Sequence, residues 1–361
     1  MSRRSTLGAI GHEVAGSSRA ASRRAPGAAH SGSRLEGARR WVAGARPRTW
    51  PAAVVPVVVG AAVAWWVWRG PSPAGSGTGS CVVASCRHGL SVVGARPVLL
   101  HRPVWWRGLA AAVVALAVEV GTNFANDYSD GIRGADDDRV GPLRLVASDT
   151  ASPRAVRRAA LASFAVAGLA GLALAAAAGW WLVGVGALCM VAGWAYTGGP
   201  RPYGYLGLGE LFVFVFFGLV ATVGTTYVMI GIFPAPALVG GVVTGLLACA
   251  MLEANNLRDV AGDTVAGKRT LAVRLGRRRA GWLYVGSLAA AAGAAVFLAA
   301  VWDPWAALAL ATAALAVGPI RAVLGDAGGR ALLPVLGATG RLQLVAGGLL
   351  AAGLVVGGVT R

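Results

Sequence analysis

The chain has 361 residues, 56% of them hydrophobic and only 13% charged, with a mean hydropathy of +0.63 and a formal net charge of +18. Soluble domains carry about 25% charged residues, so the composition excludes an ordinary water-soluble enzyme, and the long apolar runs exclude a disordered chain. Every basic residue but one is an arginine, and the arginines fall between apolar runs and in the N-terminal segment. That is the pattern of a membrane protein with basic cytoplasmic loops rather than of a nucleic-acid groove, and no nucleic-acid partner is expected.

Residues 1–40 are rich in Ser, Ala, Gly and Arg, with Glu13 and Glu36 as the acids. They read as a disordered basic tail without a secretory apolar region; a transit peptide and an over-long start are alternative readings. From residue 41 to 361 a single intramembrane domain is expected. Its class is all-α and polytopic, with nine spans near 51–68, 105–126, 155–177, 180–196, 208–231, 235–254, 281–301, 304–324 and 341–359. Ser152 followed by Pro153 is a helix-start signal for the third span. Gly and Ala fill most spans, which lets membrane helices approach closely. With the N-terminus inside, most Lys and Arg fall on the cytoplasmic side. The Arg-over-Lys, Ala and Gly bias looks like a GC-rich bacterial genome. A multi-pass bacterial cell-membrane protein with its polar site facing the cytoplasm is expected. Segment 69–104 is an unusually long outer loop beginning GPSPAGSGTGS; its Cys81 and Cys86 are either a small disulfide or two thiols.

The 15 acidic residues are placed unevenly. Asp127, Asp130, Asp136, Asp137 and Asp138 fall in one short stretch, and Asp259 and Asp263 in another, both at the cytoplasmic end of a span. At 3.6 residues per turn, Asn123, Asn126/Asp127 and Asp130 share one helical face, as do Asn255, Asp259 and Asp263. Like-charged carboxylates on one face repel unless cations neutralise them. Oxygen ligands of this kind suit Mg²⁺, which takes one or two carboxylates plus substrate phosphates. Two facing rows can hold a Mg²⁺-diphosphate, with Arg139, Arg144, Arg258 and Lys268, the chain's only lysine, as direct diphosphate contacts. The bland reading makes both rows ordinary juxtamembrane loops. A second row, again with Asn one turn before and a basic cluster after, weighs against it.

The tracts ARPRTWPAAVVPVVVG (45–60), NFANDYSDGIRGADDDRVGPLRLVAS (123–148), YTGGPRPYGYLGLGELFVFVFFG (196–218) and NNLRDVAGDTVAGKRTLAVRLG (255–276) occur in the order of a known family. With NxxNDxxDxxxGxDxxR and DxxxD, the chain resembles the UbiA-type intramembrane prenyltransferases. It is closest to the branch that prenylates 1,4-dihydroxy-2-naphthoate in menaquinone biosynthesis. Gly134 stands where the 4-hydroxybenzoate branch carries Asp, and Trp50 stands where Leu is expected.

The resemblance implies nine helices around a cavity open to the cytoplasm and to lipid. Asp127, Asp130, Asp259 and Asp263 would be the catalytic Mg²⁺-diphosphate ligands, with Asn123, Asn126 and Asn256 beside them. Polyprenyl diphosphate would ionise there, the naphthoate ring would attack the allylic cation, and loss of CO₂ would give demethylmenaquinone. A dry cavity would protect the cation. The tract Phe212-Phe214-Phe216-Phe217 is either a wall for the isoprenoid or plain lipid-facing packing. Arg201, with Tyr203 near it, is the candidate for the acceptor's carboxylate, the alternative being an interfacial anchor. Arg46 and Arg48 read as head-group contacts, Glu253 as a cavity-lining acid, and Glu119 has no assigned role. The competing readings are another acceptor, such as 4-hydroxybenzoate or homogentisate, and an ion-binding transporter. The latter is disfavoured because the acids lie at helix ends rather than near the midplane.

Overall fold

The computed structural model describes residues 34–70, 102–135, 143–325 and 327–360, and the described residues are helical with connecting turns. A short helix α1, Arg34–Gly44, lies before the first span. The tail expected to run irregularly to residue 40 therefore gives way to helix from Arg34. The rest of that tail, most of the 69–104 loop with Cys81 and Cys86, and Asp136 to Arg139 lie outside the described residues.

Among the described residues nine apolar helices follow: α2 Pro51–Arg69, α3 Trp105–Gly131, α4 Pro153–Ala178, α5 Trp181–Ala195, α6 Gly209–Ile230, α7 Ala235–Val265, α8 Leu271–Val301, α9 Pro304–Leu324 and α10 Gly329–Thr360. Eight are long and apolar enough to cross a bilayer, and α5, at 15 residues, is the short one. Each expected span falls on one of these helices. The helices overrun the apolar stretches: α3 continues to Gly131 and α7 to Val265. A helix satisfies its own backbone polar groups and so need not stop where the hydrocarbon does. Both acidic rows consequently sit on unbroken helix.

Local chemistry sets the ends. Ser152 Oγ accepts from Ala155 N at 3.3 Å and Pro153 opens α4. Gly276, at φ 73°, breaks α8 just after its first turn, a conformation side-chain-bearing residues avoid. Inside α6, residues Phe214–Val220 adopt a wider π-helical turn. There Gly218 meets α7 backbone to backbone: a Cβ on Gly218 would stand 2.5 Å from Gly245 Cα. Helices α7 and α8 pack along one another, as do α3 with α4 and α2 with α10. The main apolar core runs between α2, α7, α8 and α10, through Val59, Met251, Leu298 and Leu350. The ends of α3 and α7 are left facing a shared polar space.

Candidate active site

The last turns of α3 and α7 converge. Asn126 and Asp130 from α3, and Asn255, Asn256, Asp259 and Asp263 from α7, line one pocket of about 50 Å³. Lys268, from the turn after α7, closes it, and Arg46 and Arg144 also reach it. Two rows of oxygen ligands more than a hundred residues apart in sequence thus border a common space.

The charges are compensated locally. Asp130, 2% exposed, accepts from Tyr205 Oη at 2.8 Å and pairs with Lys268 Nζ at 2.9 Å. Lys268 also lies 5.0 Å from the Tyr205 ring centroid, a cation–π contact. Arg258 forks onto Asp259, its Nε and Nη2 each 2.7 Å from a carboxylate oxygen, and Nη2 also donates to Asn255 Oδ1 at 2.8 Å. The amides are engaged as well: Thr197 Oγ1 donates to Asn126 Oδ1, and Asn256 Nδ2 donates to Glu210 Oε1.

Asp127 behaves differently from its neighbours. It is fully buried and accepts from the backbone N–H of Leu145 at 2.8 Å and of Val146 at 3.1 Å. Its carboxylate therefore fastens the segment that carries Arg144. Asn123, one turn earlier, donates to Glu119 Oε1, Thr49 Oγ1 and the Ala45 carbonyl. Neither residue lines the small pocket among the described residues.

A second, mostly apolar cavity of about 540 Å³ adjoins the first and shares Arg46, Asn126, Arg144, Tyr196 and Asn255 with it. Of the aromatic tract, Phe212, Phe216 and Phe217 line this cavity, whereas Phe214 packs on Gly245 of α7. The π-helical turn supports this division, because its extra residue per turn changes which side chains face inward. Tyr203 also lines the cavity and stacks on Phe212, with centroids 3.9 Å apart and planes at 19°. Burial pushes its phenol pKa up, so the ring stays neutral.

Several placements differ from the sequence reading. Arg201 is exposed and lines neither cavity, because the turn that buries Pro202 and Gly204 points it outward. Arg139 lies outside the described residues. Arg46 and Arg48, expected at lipid head groups, line the large cavity. Glu253 lines neither cavity and accepts from Ser287 Oγ at 2.8 Å. Glu119 lines the large cavity, where Thr49 Oγ1 and Asn123 Nδ2 both donate to its Oε1. Spacing carried the signal for Glu119: it lies four residues before Asn123 and eight before Asp127 on one helix face. Arg133 was also missed; it donates to the Thr197 and Gly199 carbonyls and pins the loop bearing Tyr203 and Tyr205.

The donor set fits a divalent cation bound together with phosphate. Among the described residues no group of three His, Cys, Asp or Glu forms a metal cage. What the pocket offers is a few carboxylates and amides flanked by Lys268 and Arg258. Such a site suits Mg²⁺ carried in by a diphosphate rather than held by protein alone.

Comparison with known proteins agrees with this architecture. The UbiA prenyltransferase family matches residues 98–331. A 1,4-dihydroxy-2-naphthoate octaprenyltransferase of Mycobacterium tuberculosis is 47% identical over 309 residues, covering 85% of this chain and 93% of that protein. An Escherichia coli protein of the same description is 34% identical, covering 82% of this chain and 88% of its own length. The solved structure of a UbiA homolog from Archaeoglobus fulgidus bound to DMAPP and Mg²⁺ shares the fold. It has a TM-score of 0.51 at 15% identity, covering 87% of this chain and 99% of that one.

Proposed function

This chain belongs to the UbiA prenyltransferase family, and from that premise we propose that it transfers a polyprenyl group from polyprenyl diphosphate to 1,4-dihydroxy-2-naphthoate. One observation carries the reading: a polar pocket bordered by both acidic rows opens onto a large apolar cavity through shared residues. A molecule with a diphosphate head and an isoprenoid tail matches that pair of spaces. The naming of the relatives supports the naphthoate acceptor. The enzyme is a multi-pass membrane protein, and the charge distribution of the loops supports a site facing the cytoplasm.

In this reading Asp130, Asp259 and Asp263, with Asn126 and Asn256, would hold Mg²⁺ together with the diphosphate. Bound Mg²⁺ supplies neutralisation of the leaving group. Lys268 and Arg258, the latter through the Nη1 that its fork on Asp259 leaves unused, contact the diphosphate oxygens. The C–O bond to diphosphate breaks, and its electron pair leaves with the phosphate. The walls around Phe212, Phe216 and Phe217 keep water from the allylic cation. The naphthoate ring forms the new C–C bond at its carboxylate-bearing carbon. The bond to the carboxylate then breaks, its electron pair returns to the ring, and CO₂ departs. Both ring hydroxyls are kept, so the product is demethylmenaquinone in its quinol form. Asp127 acts by positioning Arg144.

The test is mass spectrometry of the products formed by membranes containing the chain, given Mg²⁺, 1,4-dihydroxy-2-naphthoate and mixed prenyl diphosphates. The expected product carries a prenyl group and has lost the mass of CO₂. Prenylation of 4-hydroxybenzoate or homogentisate instead, under the same conditions, would reassign the acceptor.

A further inference from the structure

The large cavity holds three charged residues that the diphosphate chemistry does not use, Arg46, Arg48 and Glu119, and two of them are joined through one side chain. Glu119 sits in its wall, on the face of α3 that carries Asn123 and Asp127. At 1.5 Å per residue it lies about 12 Å along the helix from Asp127, further into the membrane. Both hydrogen bonds that the structure gives its carboxylate converge on Oε1. Arg46 lines both spaces. Its Nη2 is buried without a hydrogen-bond partner among the described residues. Its backbone adopts φ 52°, ψ 67°, a left-handed conformation that a residue with a side chain rarely takes. Thr49 joins the two, bonding the Arg46 carbonyl at 3.0 Å as well as Glu119.

We propose that Arg46 and Glu119, held together by Thr49, form the site that recognises the aromatic acceptor. Arg46 takes the ring carboxylate, and Glu119 takes a ring hydroxyl. The inference rests on the acceptor proposed above and goes beyond it by naming the residues that read it. Sign decides the match. A hydroxynaphthoate offers an anion to the arginine and a hydrogen-bond donor to the carboxylate, and so engages both partners. In 1,4-dihydroxy-2-naphthoate the 1-hydroxyl bonds internally to the carboxylate. The 4-hydroxyl is therefore the free donor, and its bond to Glu119 fixes the orientation of the ring in the cavity. A buried guanidinium nitrogen without a partner is costly, and a ligand carboxylate removes that cost.

The test pairs variants with acceptor analogues on the full-length enzyme in nanodiscs. Arg46→Gln raises the KM for 1,4-dihydroxy-2-naphthoate about tenfold or more, the loss of one charge-assisted bond, while the KM for geranylgeranyl diphosphate, whose pocket Arg46 also borders, rises by a smaller factor. It leaves the affinity for 1,4-dihydroxynaphthalene, which lacks the carboxylate, as in the wild type. Glu119→Leu weakens 1,4-dihydroxy-2-naphthoate but not 1-hydroxy-2-naphthoate, which lacks the 4-hydroxyl, and Glu119→Gln, still an acceptor, restores part of the loss. Size-exclusion and thermal-unfolding profiles separate these effects from misfolding, and the conservative Gln variant keeps the question open to decision if the Leu variant does not fold. If Arg46→Gln raises the KM for geranylgeranyl diphosphate by as much or more, or if both analogues lose affinity in both variants alike, the assignment is overturned. If the wild type does not prenylate 1,4-dihydroxy-2-naphthoate at all, the proposed acceptor has failed, a result distinct from these.

Discussion

Arg258 grips its own chain neighbour, Asp259, through Nε and Nη2, both at 2.7 Å. Adjacent residues on a helix normally diverge, so this fork bends the arginine back along α7. It also keeps Asp259 aimed at the polar pocket. Lysine carries the same charge but no fork. Arg258→Lys is expected to lower kcat by about tenfold or more while the protein still folds, because the charge is kept and the bidentate geometry is lost. Steady-state rates at saturating donor and acceptor, with thermal unfolding as the control, check this.

Asp127 is a motif residue whose carboxylate holds two backbone amides. Replacing it with Ala removes the acceptor of two buried backbone N–H groups, each bond to a charged group contributing about 1.5–3 kcal/mol. Hydrogen exchange at Leu145 and Val146 is expected to accelerate, and the KM for prenyl diphosphate to rise as Arg144 loses its anchorage. Asp127→Asn should recover part of both. Unchanged exchange at those two amides would show that the segment is held by other contacts.

Gly224 lines the large cavity with no atom within 4 Å of where its Cβ would stand. Gly224→Leu gains its Cβ without a clash and adds apolar bulk to the cavity wall. The variant is expected to prefer shorter prenyl diphosphates, with kcat/KM for long donors falling roughly tenfold or more relative to short ones. Competition between geranyl and longer diphosphates, read by product mass, measures the ratio.

Gly218 is the opposite case. Its missing side chain lets α6 and α7 touch through their backbones, and neither Gly245 Cα nor the Gly241 carbonyl has a rotamer with which to yield. Gly218→Ala is expected to destabilise the protein by about 1–3 kcal/mol or more, as overpacking does, and to disturb the π-helical turn that aims Phe216 and Phe217 inward. A lower unfolding temperature in detergent is the readout.

The spans and the two acidic rows were legible because each is a local pattern. Twenty apolar residues in succession, or Asn and Asp at helical spacing, depend on no distant partner. Asp127 was visible as a motif residue but not as the anchor of residues 145 and 146, since that role comes from a chain reversal the spacing does not encode. The placements of Arg46 and Arg201 were hidden for a related reason. Both are arginines beside prolines at a span boundary, and the direction each points depends on turn geometry: the left-handed φ of Arg46 faces it inward, and the 201–205 turn leaves Arg201 outside. Glu119 was seen and left without a role because its partner Thr49 belongs to another helix end, 70 residues away.

Lys268 is the chain's single lysine, and it is buried against Asp130. Apart from the terminal amine, a reagent selective for primary amines has one place to react in the whole protein, and that place is the pocket itself. Protection of this side chain from acylation becomes a direct gauge of pocket occupancy, readable on an unmodified enzyme without any engineered probe.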